Sequence, residues 1–265
     1  MIFINKRITE PFPSLGKICL GLLFFFPLTS SAQIGEHRND FAVGVNGGYI
    51  MSSVGFTPDV SQGKHGGITG GLSVRYTCEK YFSTICSLYA EINYASLGWK
   101  ENITDMKDAQ AVNVQTGKGM DYSRSVNYVQ IPLFAHLAWG REKNGLNFFF
   151  NIGPQFGYMI SESTNCNFDV NKEIQNITDG TSTRSNTVMA QDTMKVENKF
   201  DYGIAGGIGL ECSVPKMGHF LVEARYYYGL GNIYGNSKLD YFGKSNYGNI
   251  VIKAAYLFDL ANTKK

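Results

Sequence analysis

Hydrophobic and polar positions alternate with a period of two along most of this chain, and the alternation is longest over residues 126–161. Val129, Ile131, Leu133, Ala135 and Leu137 share one parity there, and Tyr128, Gln130, Pro132, Phe134 and His136 the other. After a short polar turn, Phe148, Phe150, Ile152, Pro154, Phe156, Tyr158 and Ile160 alternate with Asn147, Phe149, Asn151, Gly153, Gln155, Gly157 and Met159. Sustained period-two alternation marks β-strand. Both strands exceed the roughly 5–6 residues usual in globular sheets. One face is almost wholly apolar, and the other carries amides, glycine and a histidine. The pattern predicts a hairpin that crosses a bilayer with its apolar face toward lipid.

The same pattern recurs from residue 40 onward. Strands are predicted at about 40–50, 67–78, 85–100, 126–138, 147–161, 200–214, 219–231 and 247–260. The connections 51–66, 101–123, 162–199 and 232–246 are long, whereas 79–84, 139–146 and 215–218 are short. Outer-membrane barrels combine an even strand number with short periplasmic turns and longer extracellular loops. The expected fold is therefore all-β, an eight-stranded antiparallel up-and-down transmembrane barrel over residues 40–260. Residues 33–39 are expected as a periplasmic segment and 261–265 as a tail.

Charge placement separates this reading from a soluble ligand-binding barrel, which is apolar inside and polar outside. Arg75, Glu91, Glu211, Glu223, Arg225, Lys253 and Asp259 all fall on the face opposite the continuous apolar one. An Arg or Lys facing lipid at mid-bilayer would cost about 2–4 kcal/mol. Those seven residues, with Gln130, His136, Asn151 and Gln155, are expected to form a polar network filling the lumen. Eight strands leave an interior just wide enough for side chains, so a conducting pore is not expected. Trp99, Trp139, Tyr81, Phe82 and Phe258 lie near strand ends, where aromatic girdles are expected.

The first 33 residues have a different character. Lys6, Arg7 and Lys17 precede an apolar run over 18–28, and Thr29-Ser30-Ser31-Ala32-Gln33 follows. This is the layout of a secretory signal peptide cleaved after Ala32. The run is too short to span a membrane as a helix, which needs about 20 residues. The full chain carries 24 Lys and Arg against 22 Asp and Glu, with only 17% charged residues. That balance gives no argument for nucleic acid. Export implies a compartment that permits disulfides. Cys78 and Cys86 flank a short turn with matching parity and form a candidate disulfide; no His or Cys spacing resembles a metal site.

Several stretches resemble the PorT-like outer-membrane β-barrel family of the Bacteroidetes. They are Tyr128-Val129-Gln130-Ile131-Pro132-Leu133, Asn151-Ile152-Gly153-Pro154-Gln155-Phe156-Gly157-Tyr158, the glycine-rich first strand, the tyrosine-rich penultimate strand and the signal ending at Ala32-Gln33. The resemblance implies a Gram-negative outer-membrane location. The family takes its name from a protein needed for secretion across that membrane, and a secretion role here would rest on analogy alone.

Enzymatic chemistry needs a nucleophile, a base and an orienting group within hydrogen-bond reach. No G-x-S-x-G elbow occurs, and the sequence places neither His136 nor His219 beside a nucleophile. No catalytic residue and no cofactor is assigned. The long polar loops 101–123 and 162–199 are the expected functional surface, since rigid scaffolds present binding residues on loops. The expected function is a non-enzymatic scaffold whose loops meet a protein or glycan partner. The alternatives are an accessory part of a secretion complex and, third, a small lipid-modifying enzyme. Outer-membrane lipid is the remaining expected partner.

Overall fold

The computed structural model describes residues 35–141, 144–235 and 240–261; the signal peptide expected over 1–32 and tail residues 262–265 lie outside them. Among the described residues nine strands follow one another: β1 (Glu36–Thr57), β2 (Gln62–Gly63), β3 (His65–Tyr81), β4 (Thr84–Glu101), β5 (Tyr122–Gly140), β6 (Gly145–Cys166), β7 (Phe200–Val214), β8 (Gly218–Gly229) and β9 (Lys244–Ala261). Two helices, α1 (Val170–Thr178) and α2 (Ala190–Thr193), interrupt the longest connection. Every long strand pairs antiparallel with its neighbour, and β1 pairs with both β3 and β9, closing a ring of eight. The two-residue β2 adds only a short ladder to the top of β4. Closure leaves no unpaired edge, which a strand structure in lipid requires because hydrocarbon offers no hydrogen-bond partners.

Parity sets the two faces as the residue pattern predicts. Val45, Leu72, Leu88, Ile92, Ile131, Leu133, Ile152, Ile204, Val222 and Ile252 point outward, while Asn46, Ser73, Glu91, Gln130, His136, Asn151 and Lys253 are buried inside. Aromatic pairs sit near both rims of the outer apolar band. Trp139 stacks on Phe148 and Tyr256 packs on Phe220 at the short-turn end, and Phe200 stacks between Phe156 and Tyr202 at the other.

The strands run further than their apolar stripes foretell. β1 and β6 each have 22 residues, against the 9–11 or so that cross a bilayer. Much of the expected 51–66 loop is strand, as are 162–166 and 244–246. The expected 33–39 segment is likewise strand from Glu36, where Glu36 and His37 pair with Lys80 and Glu79, and Ala261 closes β9 opposite Phe41.

The reason for the extra length at the long-loop end is a change of phase in the hydrophobic pattern. On β1 the outward residues Val45 and Tyr49 give way to Ser53 and Thr57, while the inward set becomes Ile50, Val54 and Phe56. On β5, Val129, Ile131 and Leu133 point outward, but above them Tyr122, Val126 and Tyr128 point inward, with Ser123, Ser125 and Asn127 outside. β4 repeats the switch, from Leu88 and Ile92 outside to Ala95, Leu97 and Trp99 inside. The β1 and β4 ladders pass through this level in unbroken register, and a bulge interrupts the β5–β6 ladder at Asn127/Tyr128. Below the switch the barrel is apolar outside and polar inside; above it the polarity is that of a water-soluble barrel.

Candidate functional site

The middle of the lumen is a closed electrostatic network. Arg225, on β8, donates to Glu91 at 3.0 and 3.2 Å and to Glu223 at 3.0 and 2.8 Å. Lys253 donates to Glu91 as well. Two cations face two carboxylates, so this layer is neutral, as burial of charge demands. Asn93 donates to Glu91 at 2.8 Å and Asn46 to Asn93 at 2.9 Å and to Ser73 at 2.8 Å, extending the network around the ring. Gly207 sits opposite Arg225, and a Cβ there would lie 2.4 Å from Glu223 Oε1, so the glycine makes room for that carboxylate. Phe134 lies under the Arg225 guanidinium at 4.3 Å and Phe149 packs on His136 at 4.9 Å, so aromatic rings fill the gaps between the charges.

Toward the short turns lies a second cluster. Arg75 donates to Glu211 Oε1 at 2.8 Å. Asn151 donates through Nδ2 to Glu223 at 3.0 Å, which leaves its Oδ1 to accept from His136 Nδ1 at 2.8 Å. His136 Nδ1 therefore donates, and its Nε2 lies 3.7 Å from Glu211 Oε2. Gln130 and Gln155 are buried on the same inner face higher up. Asp259 reaches this cluster from the rim, where it is exposed and bonds His219 Nε2 at 3.1 Å. Its parity is right, but only two residues separate it from the end of β9, beyond the depth at which parity means burial.

His219 brings together residues that the sequence leaves apart. Its Nδ1 lies 2.9 Å from Ser213 Oγ and 2.7 Å from Glu211 Oε1, with Asp259 on the other ring nitrogen. Serine, histidine and aspartate thus stand in hydrogen-bond sequence. Glu211, however, occupies the nitrogen that would have to take the serine proton, and a general base must have that lone pair available. The arrangement is an ionic clamp across the ends of β7, β8 and β9, not a nucleophilic triad. These groups line a cavity of about 250 Å³ that also receives Arg38, Lys80, Asn147 and Lys216.

At the opposite mouth the expected open loops form a packed cap. Phe56, Trp99, Tyr234 and Phe242 make an aromatic cluster with ring separations of 4.9–6.1 Å. Ile103, Ala111 and Met120 from the 102–121 connection, and Val196 from the longest one, are buried with it. Trp99 is fully buried here and is no girdle residue, because it shares parity with Glu91 and Asn93. Asp169 begins α1 by accepting from the backbone of Asn171 and Lys172 at 3.0 and 3.3 Å, the role of an N-cap side chain. Thr183 bonds both backbone groups of Val112, and Ser185 donates through its backbone N–H and its hydroxyl to the Thr104 carbonyl, sewing the two long connections together.

A buried polar latch fixes this cap to the strands. Glu101, at the top of β4, accepts from Arg184 at 3.2 Å and from Gln191. Arg124 on β5 donates to the carbonyls of Met194 and Asp192 while stacking over Trp99 at 5.3 Å. Arg184 leans toward Glu101 and stays 3.9 Å from Asp192. Burial, with the Glu101 carboxylate beside it, pushes the Asp192 carboxyl up to about 9, so it holds its proton at neutral pH. None of these latch residues shows in the periodicity of the sequence, since four of the six come from an aperiodic connection and the other two, Glu101 and Arg124, from strand tips.

Cys78 and Cys86 are free thiols. A register shift between Thr77 and Glu79 places Glu79, not Cys78, opposite Cys86, and so takes the expected pair out of alignment. Among the described residues no group of three or more His, Cys, Asp or Glu is arranged to hold a metal ion.

Comparison with known proteins bears on the whole barrel. The solved structures similar to this chain include these three. The attachment invasion locus protein Ail of Yersinia pestis, in complex with the heparin analogue sucrose octasulfate, is 15% identical, with a TM-score of 0.33 over 83% of this chain and 99% of that one. Neisserial surface protein A is 12% identical, with a TM-score of 0.37 over 84% and 100%. The outer membrane protein OprG of Pseudomonas aeruginosa is 13% identical, with a TM-score of 0.38 over 84% and 98%. No curated protein matches the chain. The model of the outer membrane protein β-barrel domain matches residues 31–235, well over half of the sequence. With a closed eight-stranded ring, an apolar outer band and a charged interior, the chain belongs to the outer membrane protein β-barrel domain family.

Proposed function

We propose that this outer-membrane barrel is a non-enzymatic scaffold whose extracellular cap is its binding surface. The supporting observation is the ordered cap itself. Connections 102–121 and 167–199 are fastened to each other and to the strand tips by Thr183, Ser185, Arg184 and Gln191. A loop pre-ordered before it meets a partner loses less entropy on binding than a mobile one. The clamp geometry at His219, with its base nitrogen taken by Glu211, favours no hydrolase. The partner class is a surface protein or glycan.

Replacing residues 170–196 by a short Gly-Ser linker tests this. Intact cells of a laboratory host carrying the barrel are probed against panels of glycans and host-surface proteins. The linker variant should keep the heat-modifiable gel mobility of a folded barrel and lose the binding. Unchanged binding would place the function elsewhere.

A second reading, accessory to a secretion complex, is favoured by the PorT resemblance and by the cavity open at the periplasmic mouth. It predicts co-purifying outer-membrane proteins, and retention of secreted cargo in the periplasm when the gene is deleted.

A further inference from the structure

Just above its apolar band, the outer face of the barrel carries cations on one side. Where β8, β9, β1 and β3 run together, the band ends in a row formed by Tyr226, Ile250 and Met51. The next outward row holds Tyr228, Gly248 and Ser53. Lys64 leads into β3 there and donates to Ser53 Oγ at 2.8 Å. Lys244 opens β9 opposite Thr57 and leans back toward the same row. Its Cε lies 3.8 Å from where a Cβ on Gly55 would stand, and its Nζ is 5.8 Å from the centre of the Tyr228 ring. Both lysines are exposed, and among the described residues neither has a carboxylate partner. Lys100, by contrast, has Asp121 at 3.9 Å. Around the ring at this level, β5 and β6 present Ser123, Ser125, Asn127, Ser161 and Ser163, with no cation among them.

Height and spacing say what such a pair meets. Successive outward residues of a strand are about 7 Å apart, and a strand tilted by about 40° climbs about 5 Å over that step. The lipid headgroups add about 5–8 Å to each side of the hydrocarbon core. One step above Met51 is therefore within the headgroup layer, where lipid phosphates lie. The two heads stand over neighbouring outward positions of β1, about 7 Å apart, and one phosphate spans such a gap with two charge-assisted hydrogen bonds of about 2.8 Å. Gly55 and Gly248 have no side chains to fill the space. Each ammonium has three donors, so Lys64 keeps two beyond its bond to Ser53. Their joint charge matches the roughly −1.5 to −2 of a phosphomonoester at pH 7, and exceeds that of a singly charged diester. Tyr49, Tyr226 and Tyr228 border the row with exposed rings, and the Tyr49 hydroxyl lies over Gly66 beside Lys64. Tyrosine is the residue of that interface.

We propose that Lys64 and Lys244 form a binding site for the phosphomonoester headgroup of an outer-leaflet lipid. Each ammonium donates to one phosphate oxygen, and the acyl chains lie along the apolar outer face of β9, β1 and β3, over Ile250, Tyr49 and Ile68. The lipid is the source because the site opens directly onto that band. It lies on the flank of the barrel and does not depend on what the cap binds.

Native mass spectrometry of the full mature chain tests this, in micelles that contain phosphatidic acid, a monoester, and phosphatidylglycerol, a diester, with the same acyl chains. The protein should retain one phosphatidic acid, at least about fivefold over phosphatidylglycerol at pH 7.5. Lys64→Gln and Lys244→Gln should each lower that retention about fivefold, and the double variant should erase the preference, with heat-modifiable mobility kept in all three. Lys118→Gln, which removes an equal charge from the exposed cap surface, should leave it unchanged. Equal retention of the two lipids by the unaltered protein, a preference that survives the double variant, or an equal loss in Lys118→Gln would overturn the site and leave only diffuse attraction. Displacement of the lipid by equimolar glycerol 3-phosphate would overturn the lipid as its occupant.

Discussion

The membrane section and the extracellular cap of this protein are built on the same strands with opposite polarity. Below Met51 on β1 and Val129 on β5, the outer face is apolar and the interior is charged. Above them the outer face is Ser53, Thr57, Ser123 and Ser125, and the interior is Phe56, Trp99, Tyr122 and Tyr247. What changes is the solvent. Lipid selects apolar residues outside, and inside it leaves polar groups to satisfy one another; water selects the reverse. A single strand can serve both because its side chains alternate with a period of two, so exchanging the hydrophobic parity inverts both faces at once. The level of the bilayer can therefore be read from the phase of the pattern.

Substitutions that act on one section and spare the other sharpen this contrast. The largest effect is expected from Glu91→Ala, which leaves Arg225 and Lys253 to share the single carboxylate of Glu223 and so one cation of the lumen layer uncompensated. Breaking one partner of a buried ion pair costs about 3–5 kcal/mol. The folded band in unboiled gels should be lost or appear at much lower denaturant.

Trp99→Ala removes a fully buried ring from the cap, where large aromatic truncations cost about 3–5 kcal/mol. Here the cost should be local. Protease added to intact cells should cut the 167–199 connection faster, while heat-modifiable mobility is retained. A loss of the whole barrel would mean that the two sections fold as one unit.

Next comes a matched pair on the outer face. Ile152→Arg, in the middle of the apolar band, should cost about 2–4 kcal/mol in urea unfolding from lipid vesicles. Ser125→Arg, outward-facing in the cap section, should change stability by less than about 0.5 kcal/mol. Similar costs at the two positions would mean that lipid does not end below the cap section.

The smallest effect is a pH dependence. Asp192 keeps a proton in the cap up to about pH 9, whereas in an opened loop it ionises near its ordinary value of 3.8. The raised value means that cap stability is fullest below about pH 4 and falls as pH rises toward 9. Cleavage of the 167–199 connection should therefore quicken from pH 6 to pH 9. Asp192→Asn, which cannot ionise, should flatten that trend.

The barrel was legible because parity is a local signal. Ile131 and Gln130 reveal their faces within a few residues, and loop lengths supply the topology. Trp99 shows where local reading stops. Its parity with Glu91 and Asn93 marks it as inward-facing, yet its position near a strand end suggests an interfacial girdle, and parity decides. Asp259 has inward parity and meets the lumen cluster through His219, but so near the end of β9 it stays exposed at the rim. The Ser213–His219 contact and the Glu101–Arg184–Asp192 latch join residues from separate strands and loops, and no periodicity records such contacts. The candidate Cys78–Cys86 pair does not align because a bulge of one residue, invisible in composition, shifts Cys78 out of register.

The most direct test of the folded cap is amide hydrogen exchange on the protein in lipid nanodiscs. The amides of Ala111, Asn113 and Met120, bonded to Ile103, Lys118 and Ala111 at 2.8–3.0 Å, should exchange slowly at neutral pH. Their protection should fall together with that of Met194, whose amide bonds Ala190, when Trp99 is replaced by alanine. Exchange of these amides at the rate of an unstructured peptide, while the β5 and β6 amides stay protected, would contradict the account and leave a membrane barrel with open loops.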